Sequence, residues 1–137
     1  MVSLGFVVAT YHGPIIEQME TAALERAADY EVTVAETVRV TGVYDTVLPA
    51  DRLARRDDID AVVVIGAIIE GETDHDQVIG HAVATQLQSV AIERDTPVTL
   101  GITGPGMTAD EAHARLEYGA NAVDAAIELL EAIDPYP

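Results

Sequence analysis

AVVVIGAII, residues 61–69, is the most apolar stretch of the chain, and EGETDHDQV, residues 70–78, follows it directly. A short apolar run rich in β-branched residues and bounded by turn residues is a strand buried on both faces. The polar segment after it carries a hydroxyl (Thr73), an imidazole (His75) and four carboxylates (Glu70, Glu72, Asp74, Asp76). Helical spacing then begins and runs over residues 78–94, with Val78, Ala82, Thr85, Leu87, Val90 and Ala91 on the pattern. The unit is strand, polar loop, helix. In open α/β sheets ligands bind outside the carboxyl ends of the strands, where strand order reverses. The loop at 70–76 is therefore the first place to look for chemistry, with a solvated surface turn as the plain alternative.

The same unit recurs on both sides. Residues 4–9 form a second buried strand, closed by Thr10-Tyr11-His12-Gly13-Pro14, and Pro14 suits the first turn of a helix over 15–30. Residues 32–40 alternate β-branched positions and read as a strand, followed by a turn at 41–45 and a short helix over 46–56. Downstream, residues 97–102 are the fourth strand and 101–107 a glycine-dense loop. Thr108-Ala109-Asp110-Glu111 is a capping box that opens one last helix, expected to run unbroken to about residue 133. Four strand–helix units predict an α/β fold, a flavodoxin-like three-layer α/β/α sandwich on a four-stranded parallel sheet, in one domain over residues 1–137.

Composition bounds the function. The formal net charge is -17, from 24 acids against 7 bases, and every base is arginine. Such a surface repels nucleic acid and anionic lipid, whose recognition rests on cation–phosphate attraction. A hydrophobic content of 49% argues against disorder. A folded, acidic, lysine-free protein fits a high-salt cytoplasm, where screening removes most self-repulsion. Cysteine is absent, which excludes disulfide and thiol chemistry. Residues 1–8 carry no basic segment and are expected not to be a signal peptide. No apolar run approaches the ~20 residues of a membrane span.

Candidate site residues sit at the predicted strand ends. Tyr11 is a rim aromatic or a platform for stacking a planar heterocycle, its face apolar and its hydroxyl wet. His12 reads as a solvated loop histidine. The turn lacks the hydroxyl- and glycine-rich run of a flavodoxin-type FMN site. Asp45 suits a helix N-cap before Thr46 or a ligand contact. Arg115 would either pair with Glu111 across one helical turn or supply the cation a phosphate monoester needs in so acidic a chain. His75, Asp76 and His81 lack the spacing of a helical zinc pair, so no metal site is expected.

The segment 66–76, Gly-Ala-Ile-Ile-Glu-Gly-Glu-Thr-Asp-His-Asp, resembles the active-site loop of the 6,7-dimethyl-8-ribityllumazine synthase family, Gly-Ala-Val-Ile-Arg-Gly-Glu-Thr-x-His. Val40-Thr41-Gly42-Val43-Tyr44-Asp45 is similar to that family's Val-Pro-Gly-(Ala/Ser)-Phe-Glu, and Pro97-Val98-Thr99-Leu100-Gly101 matches as well. The Gly-Pro-Gly-Met-Thr loop at 104–108 resembles the archaeal branch. The likeness covers the chain in order, with departures at Tyr11 (usually Phe), Thr41 (usually Pro), Asp45 (usually Glu) and Glu70 (often basic).

That resemblance implies a reaction and a set of roles. The family condenses 5-amino-6-(D-ribitylamino)uracil with 3,4-dihydroxy-2-butanone 4-phosphate, the penultimate step of riboflavin synthesis, with loss of phosphate and water and no metal or organic cofactor. His75 matches the proton-transfer residue. Glu72 and Thr73 match phosphate-site positions, and Arg115 the phosphate-binding arginine. Tyr11 matches the aromatic that stacks on the pyrimidine. Val43, Tyr44 and Asp45, with Ala67, Ile68 and Ile69, match segments along the uracil and ribityl chain, and Leu100 an apolar residue given by a neighbouring subunit. The resemblance also implies a homo-oligomer, a pentamer or a multiple of one. Two other readings share the fold: a non-catalytic flavin or lumazine binder, and the archaeal riboflavin synthase, which dismutates two lumazines.

Overall fold

The computed structural model describes residues 1–71 and 73–137. Strand β1 (Ser3–Ala9) leads into helix α1 (Gly13–Asp29), and β2 (Thr33–Val40) into a single 3-10 turn (Val43–Asp45) and α2 (Val47–Ala54). Next come β3 (Ala61–Ile69), α3 (His75–Arg94) and β4 (Val98–Met107), then α4 (Ala109–His113) and α5 (Tyr118–Ile133). All three strand pairings are parallel, in the order β2-β1-β3-β4. The chain steps from β1 outward to β2, then returns past β1 to β3 and β4. Strand order thus reverses between β1 and β3, and the crevice at their carboxyl ends lies where a ligand site is expected.

The run at 61–69 is buried because it is the centre of three layers. Ala61, Val63, Ile65 and Ala67 pack with Leu4, Phe6 and Val8 of β1 against α1 and α5. Val62, Val64 and Ile68 pack with Val7 and Ala9 against α2 and α3. Alternate side chains of one strand therefore serve two cores, which is why the sequence shows a continuous apolar run rather than an in–out alternation. Close helix packing is set on one side by Gly119, where a Cβ would stand 2.5 Å from the Met19 carbonyl oxygen of α1. β2 is an edge strand, and its half-exposed pattern explains its looser alternation.

The last third of the chain differs from the sequence expectation in two ways. β4 continues to Met107 through the glycine-dense segment, with a register shift between Ala67 and Ile69 on β3. Ile69 pairs with Met107, and the Glu70 N–H donates to the Met107 carbonyl at 2.8 Å. Gly104 and Gly106 have φ of +88° and +80°, and a Cβ on Gly104 would lie 2.1 Å from the Ile68 carbonyl oxygen. Glycine is thus required there to keep the segment against β3. The final helix is two helices. The capping box at Thr108 and Glu111 forms as expected, but α4 ends at His113 and α5 begins at Tyr118. The apolar stripe Ala112, Leu116, Ala120 crosses this break without losing its spacing, so periodicity could not detect it.

Candidate functional site

Three strand ends converge on one cleft. The β1–β2 ladder extends past β1, with the Thr10 N–H donating to the Val40 carbonyl and the Tyr11 N–H to the Thr41 carbonyl, both at 2.9 Å. This fixes Tyr11 and His12 beside the turn at 42–45. That turn is built on Thr46, a fully buried residue whose hydroxyl donates to the Val43 carbonyl at 2.7 Å. From β3 come Ala67, Ile68 and Ile69, and beyond them Thr73 and His75. The open cleft between them is about 500 Å³ and is lined by Tyr11, Val43, Tyr44, Ala67, Ile68, Ile69, Thr73 and His75, all expected from the sequence.

Each element presents its residue for a local reason. Tyr11 and Tyr44 are 74% and 70% exposed, far too open for core aromatics, so their rings remain accessible to a ligand. α3 starts three residues before the expected Val78, so His75 is its first residue, and its N–H donates to the Thr73 hydroxyl at 3.3 Å. This bond holds the imidazole-bearing turn at the mouth of the cleft. Glu72, the other phosphate-site candidate, lies outside the described residues.

Asp45 is not the N-cap of α2. Thr46 holds that position, and the Asp45 carboxylate turns back to accept the Gly42 N–H at 3.1 Å. A carboxylate has about four lone-pair positions, so this bond leaves acceptor capacity for a ligand. Asp45 and Tyr44 also border an adjoining, mainly apolar furrow of about 810 Å³ between α2 and α3.

Leu100 and Arg115 lie apart from the cleft. Leu100 sits on edge strand β4, 49% exposed, and lines a smaller cavity with Ile68, Gly80 and Pro105. Arg115 stands in the turn between α4 and α5 rather than within a helix, and its guanidinium donates to the Glu111 backbone carbonyl at 3.1 Å. The expected pair with the Glu111 carboxylate does not form; that carboxylate is engaged by the Thr108 N–H. Neither Arg115 nor any other arginine lines the cleft among the described residues.

The cleft also contains residues that the sequence did not single out for the site, among them His12, which is half-buried rather than the solvated loop histidine expected. His12 packs edge-on against Tyr11, ring centroids 4.9 Å apart at 86°. Burial pushes its imidazole below the ordinary histidine value, favouring the neutral form. Its adjacency to Tyr11 at a strand end was the available signal. Asp76, Ile79, Gly42 and Gly71 complete the wall. Asp76 is only 7% exposed, and no pattern in the sequence distinguishes it from the solvated acids beside it.

Chemically, the cleft offers a flat apolar wall with aromatic rims, two imidazoles and a hydroxyl, suited to a planar polar heterocycle and to proton transfer. Among the described residues no three histidines, cysteines or carboxylates gather as metal ligands, and no helix is long and apolar enough to cross a membrane.

Comparison with known proteins gives the family. The family model described as 6,7-dimethyl-8-ribityllumazine synthase matches residues 1–134. A protein of that name from Halobacterium salinarum is 55% identical over 131 residues, covering 96% of this chain and 98% of its own. One from Halorubrum lacusprofundi is 52% identical over 134 residues, 98% of this chain and 100% of its own. One from Methanocaldococcus jannaschii is 45% identical over 131 residues, 96% and 93% of the two chains. The strand-end cleft and these full-length likenesses together assign the chain to the 6,7-dimethyl-8-ribityllumazine synthase family, as a transferase with lumazine synthase activity in riboflavin biosynthesis.

Proposed function

We propose that the strand-end cleft takes 5-amino-6-(D-ribitylamino)uracil, and that 3,4-dihydroxy-2-butanone 4-phosphate binds beside it at a site completed by an adjoining copy of the chain. The assembly is a cyclic homopentamer or a multiple of one, working in the cytoplasm. Tyr11 lays its ring on the pyrimidine. Val43, Tyr44, Ala67, Ile68 and Ile69 line the uracil and ribityl chain, and Asp45 accepts hydrogen bonds from ribityl hydroxyls. Glu72 and Thr73 flank the phosphate, Arg115 of the adjoining copy neutralises it, and Leu100 of that copy covers the pyrimidine.

The observation that carries the shared site is the missing cation. A phosphate dianion needs a positive partner in a chain of net charge -17, yet no arginine lines the cleft among the described residues. Arg115 is half-buried away from it, with no carboxylate partner among the described residues. Two further features favour a neighbour. The apolar furrow beside Tyr44 leaves Leu48 60% exposed, and Val78 on α3 is 65% exposed. Burying such surface against a second copy is favourable by about 25 cal/mol per Å².

The chemistry follows from the two substrates. An amine of the pyrimidine condenses with the ketone to a Schiff base and releases water. Phosphate then leaves, and the second amine closes the ring with loss of a second water. His75 moves protons between nitrogen and departing oxygen, its imidazole serving as acid and base in turn. Mixing the two substrates with the protein in high-salt buffer should generate the absorbance of the lumazine product. No product would refute the substrate assignment. Consumption of lumazine without butanone phosphate would instead identify a riboflavin synthase.

A further inference from the structure

We infer that Asp76 is a positioning residue that ties the His75 turn to the segment leading to Arg115, so that one buried carboxylate sets the geometry of His75 in one reaction centre and of Arg115 in the centre shared with the next copy. The inference rests on the roles proposed for His75 and Arg115. Asp76 is the second residue of α3, directly after His75, and is 7% exposed. A carboxylate that deep is costly unless it is hydrogen-bonded. It accepts the Gly106 N–H at 2.9 Å, reaching from the start of α3 to the far end of β4. The start of a helix also favours a negative side chain.

The segment it holds is clasped from other sides. A Cβ on Gly80 would lie 2.7 Å from Cδ of Pro105, so α3 lies flush on that ring. The Glu70 N–H and the Ile69 pairing hold Met107. Thr108 then caps α4, and Arg115 follows at the α4–α5 turn. Steric contact limits how close α3 and this segment come; the Asp76 bond limits how far apart they drift. Glycine at 106 takes the φ of +80° that residues with side chains rarely adopt.

The test uses the assembled protein and steady-state kinetics for both substrates. Asp76→Ala should lower kcat roughly 10-fold and raise KM for butanone phosphate several-fold, since a shift of about 1 Å can cost up to ~10²-fold. The assembly state should stay the parent's, and KM for the pyrimidine should rise much less than KM for butanone phosphate. Asp76→Asn keeps an oxygen that accepts from Gly106 and should stay within about two-fold of the parent. Parent-like constants for Asp76→Ala overturn the inference. So does a loss that merely follows the amount of assembled protein with both KM values unchanged, or an asparagine variant as damaged as the alanine one. If the alanine variant does not assemble, Asp76→Glu, which moves the carboxylate by one methylene, should show the same KM split, and parent-like constants there also overturn it. His75→Ala separates the two levels: its full activity refutes the role of His75, whereas an impaired His75→Ala beside an unimpaired Asp76→Ala refutes only the tether.

Discussion

Gly80→Ala should damage catalysis much more than stability. In an exposed helix the change would stabilise by about 0.5–1 kcal/mol, because glycine loses more backbone entropy on folding. Here the new methyl would meet Cδ and Cγ of Pro105 at 2.7 and 2.8 Å. Carbon–carbon contacts settle at ~3.5–4.0 Å, so α3 and the 104–106 segment must part by roughly 1 Å. Neither side yields easily: the proline ring is rigid, and the next residue is bonded to Asp76. Overpacking of this kind costs about 1–3 kcal/mol, which the helix term partly offsets, leaving a net loss of ~0–2 kcal/mol. The same displacement acts at the end of α3 that carries His75, where ~1 Å is worth up to ~10²-fold in rate. Thermal denaturation at fixed protein concentration should therefore show a shift of only a few degrees, while kcat from lumazine absorbance falls at least ~10-fold. Gly13→Ala, whose methyl would meet nothing within 4 Å, controls for the glycine-to-alanine change. A Gly80→Ala protein with parental kcat and stability would show that the α3–β4 contact does not set the reaction geometry.

Other outcomes follow from the same structure. His75→Ala should lower kcat by ~10²-fold or less, near the low end for acid–base residues, because the later steps have intrinsic reactivity; unchanged kcat would remove His75 from the mechanism. Arg115→Ala should weaken butanone phosphate far more than the pyrimidine, by about 2–4 kcal/mol of transition-state binding, and equal losses for both would indicate a folding or assembly role. Arg94 donates to Asp51 at 2.8 and 3.3 Å, and these hydrogen bonds hold the Asp51 carboxyl below the usual carboxylate range. The folded pKa is depressed, so the pair's contribution is full above about pH 5 and lost as pH falls through the lowered value. The thermal-midpoint gap between parent and Asp51→Asn should close on acidification; a gap that persists would place the stabilisation elsewhere.

The layer architecture was legible because burial on both faces leaves a mark in composition. AVVVIGAII could not be a surface strand, and alternation with helical spacing required a parallel sheet. The cleft was legible for a related reason: a ligand site at parallel strand ends draws on the few residues after each strand. Tyr11, Val43, Tyr44, Ala67, Ile68, Ile69, Thr73 and His75 occupy such positions and meet in one space. What was not legible depends on contacts distant in sequence. Asp76 looks like its solvated neighbours until Gly106 is brought to it. Asp45 fits an N-cap by position, but its carboxylate closes the preceding turn. The break before α5 is hidden by an apolar stripe that continues across it, and β4 extends into glycines because β3 still offers it partners.

The sharing of each site between two copies is tested most directly by mixing two defective proteins. His75→Ala and Arg115→Ala chains, each impaired on its own, are dissociated and reassembled together in equal amounts. Random assembly gives roughly a quarter of the interfaces an intact His75 from one copy and an intact Arg115 from the next, because each site draws on two independent chains. Lumazine formation should then rise well above the mean of the two separate mutants, towards about a quarter of the parental rate. If the chains demonstrably mix and the rate stays at that mean, Arg115 acts within its own chain and the shared site is wrong.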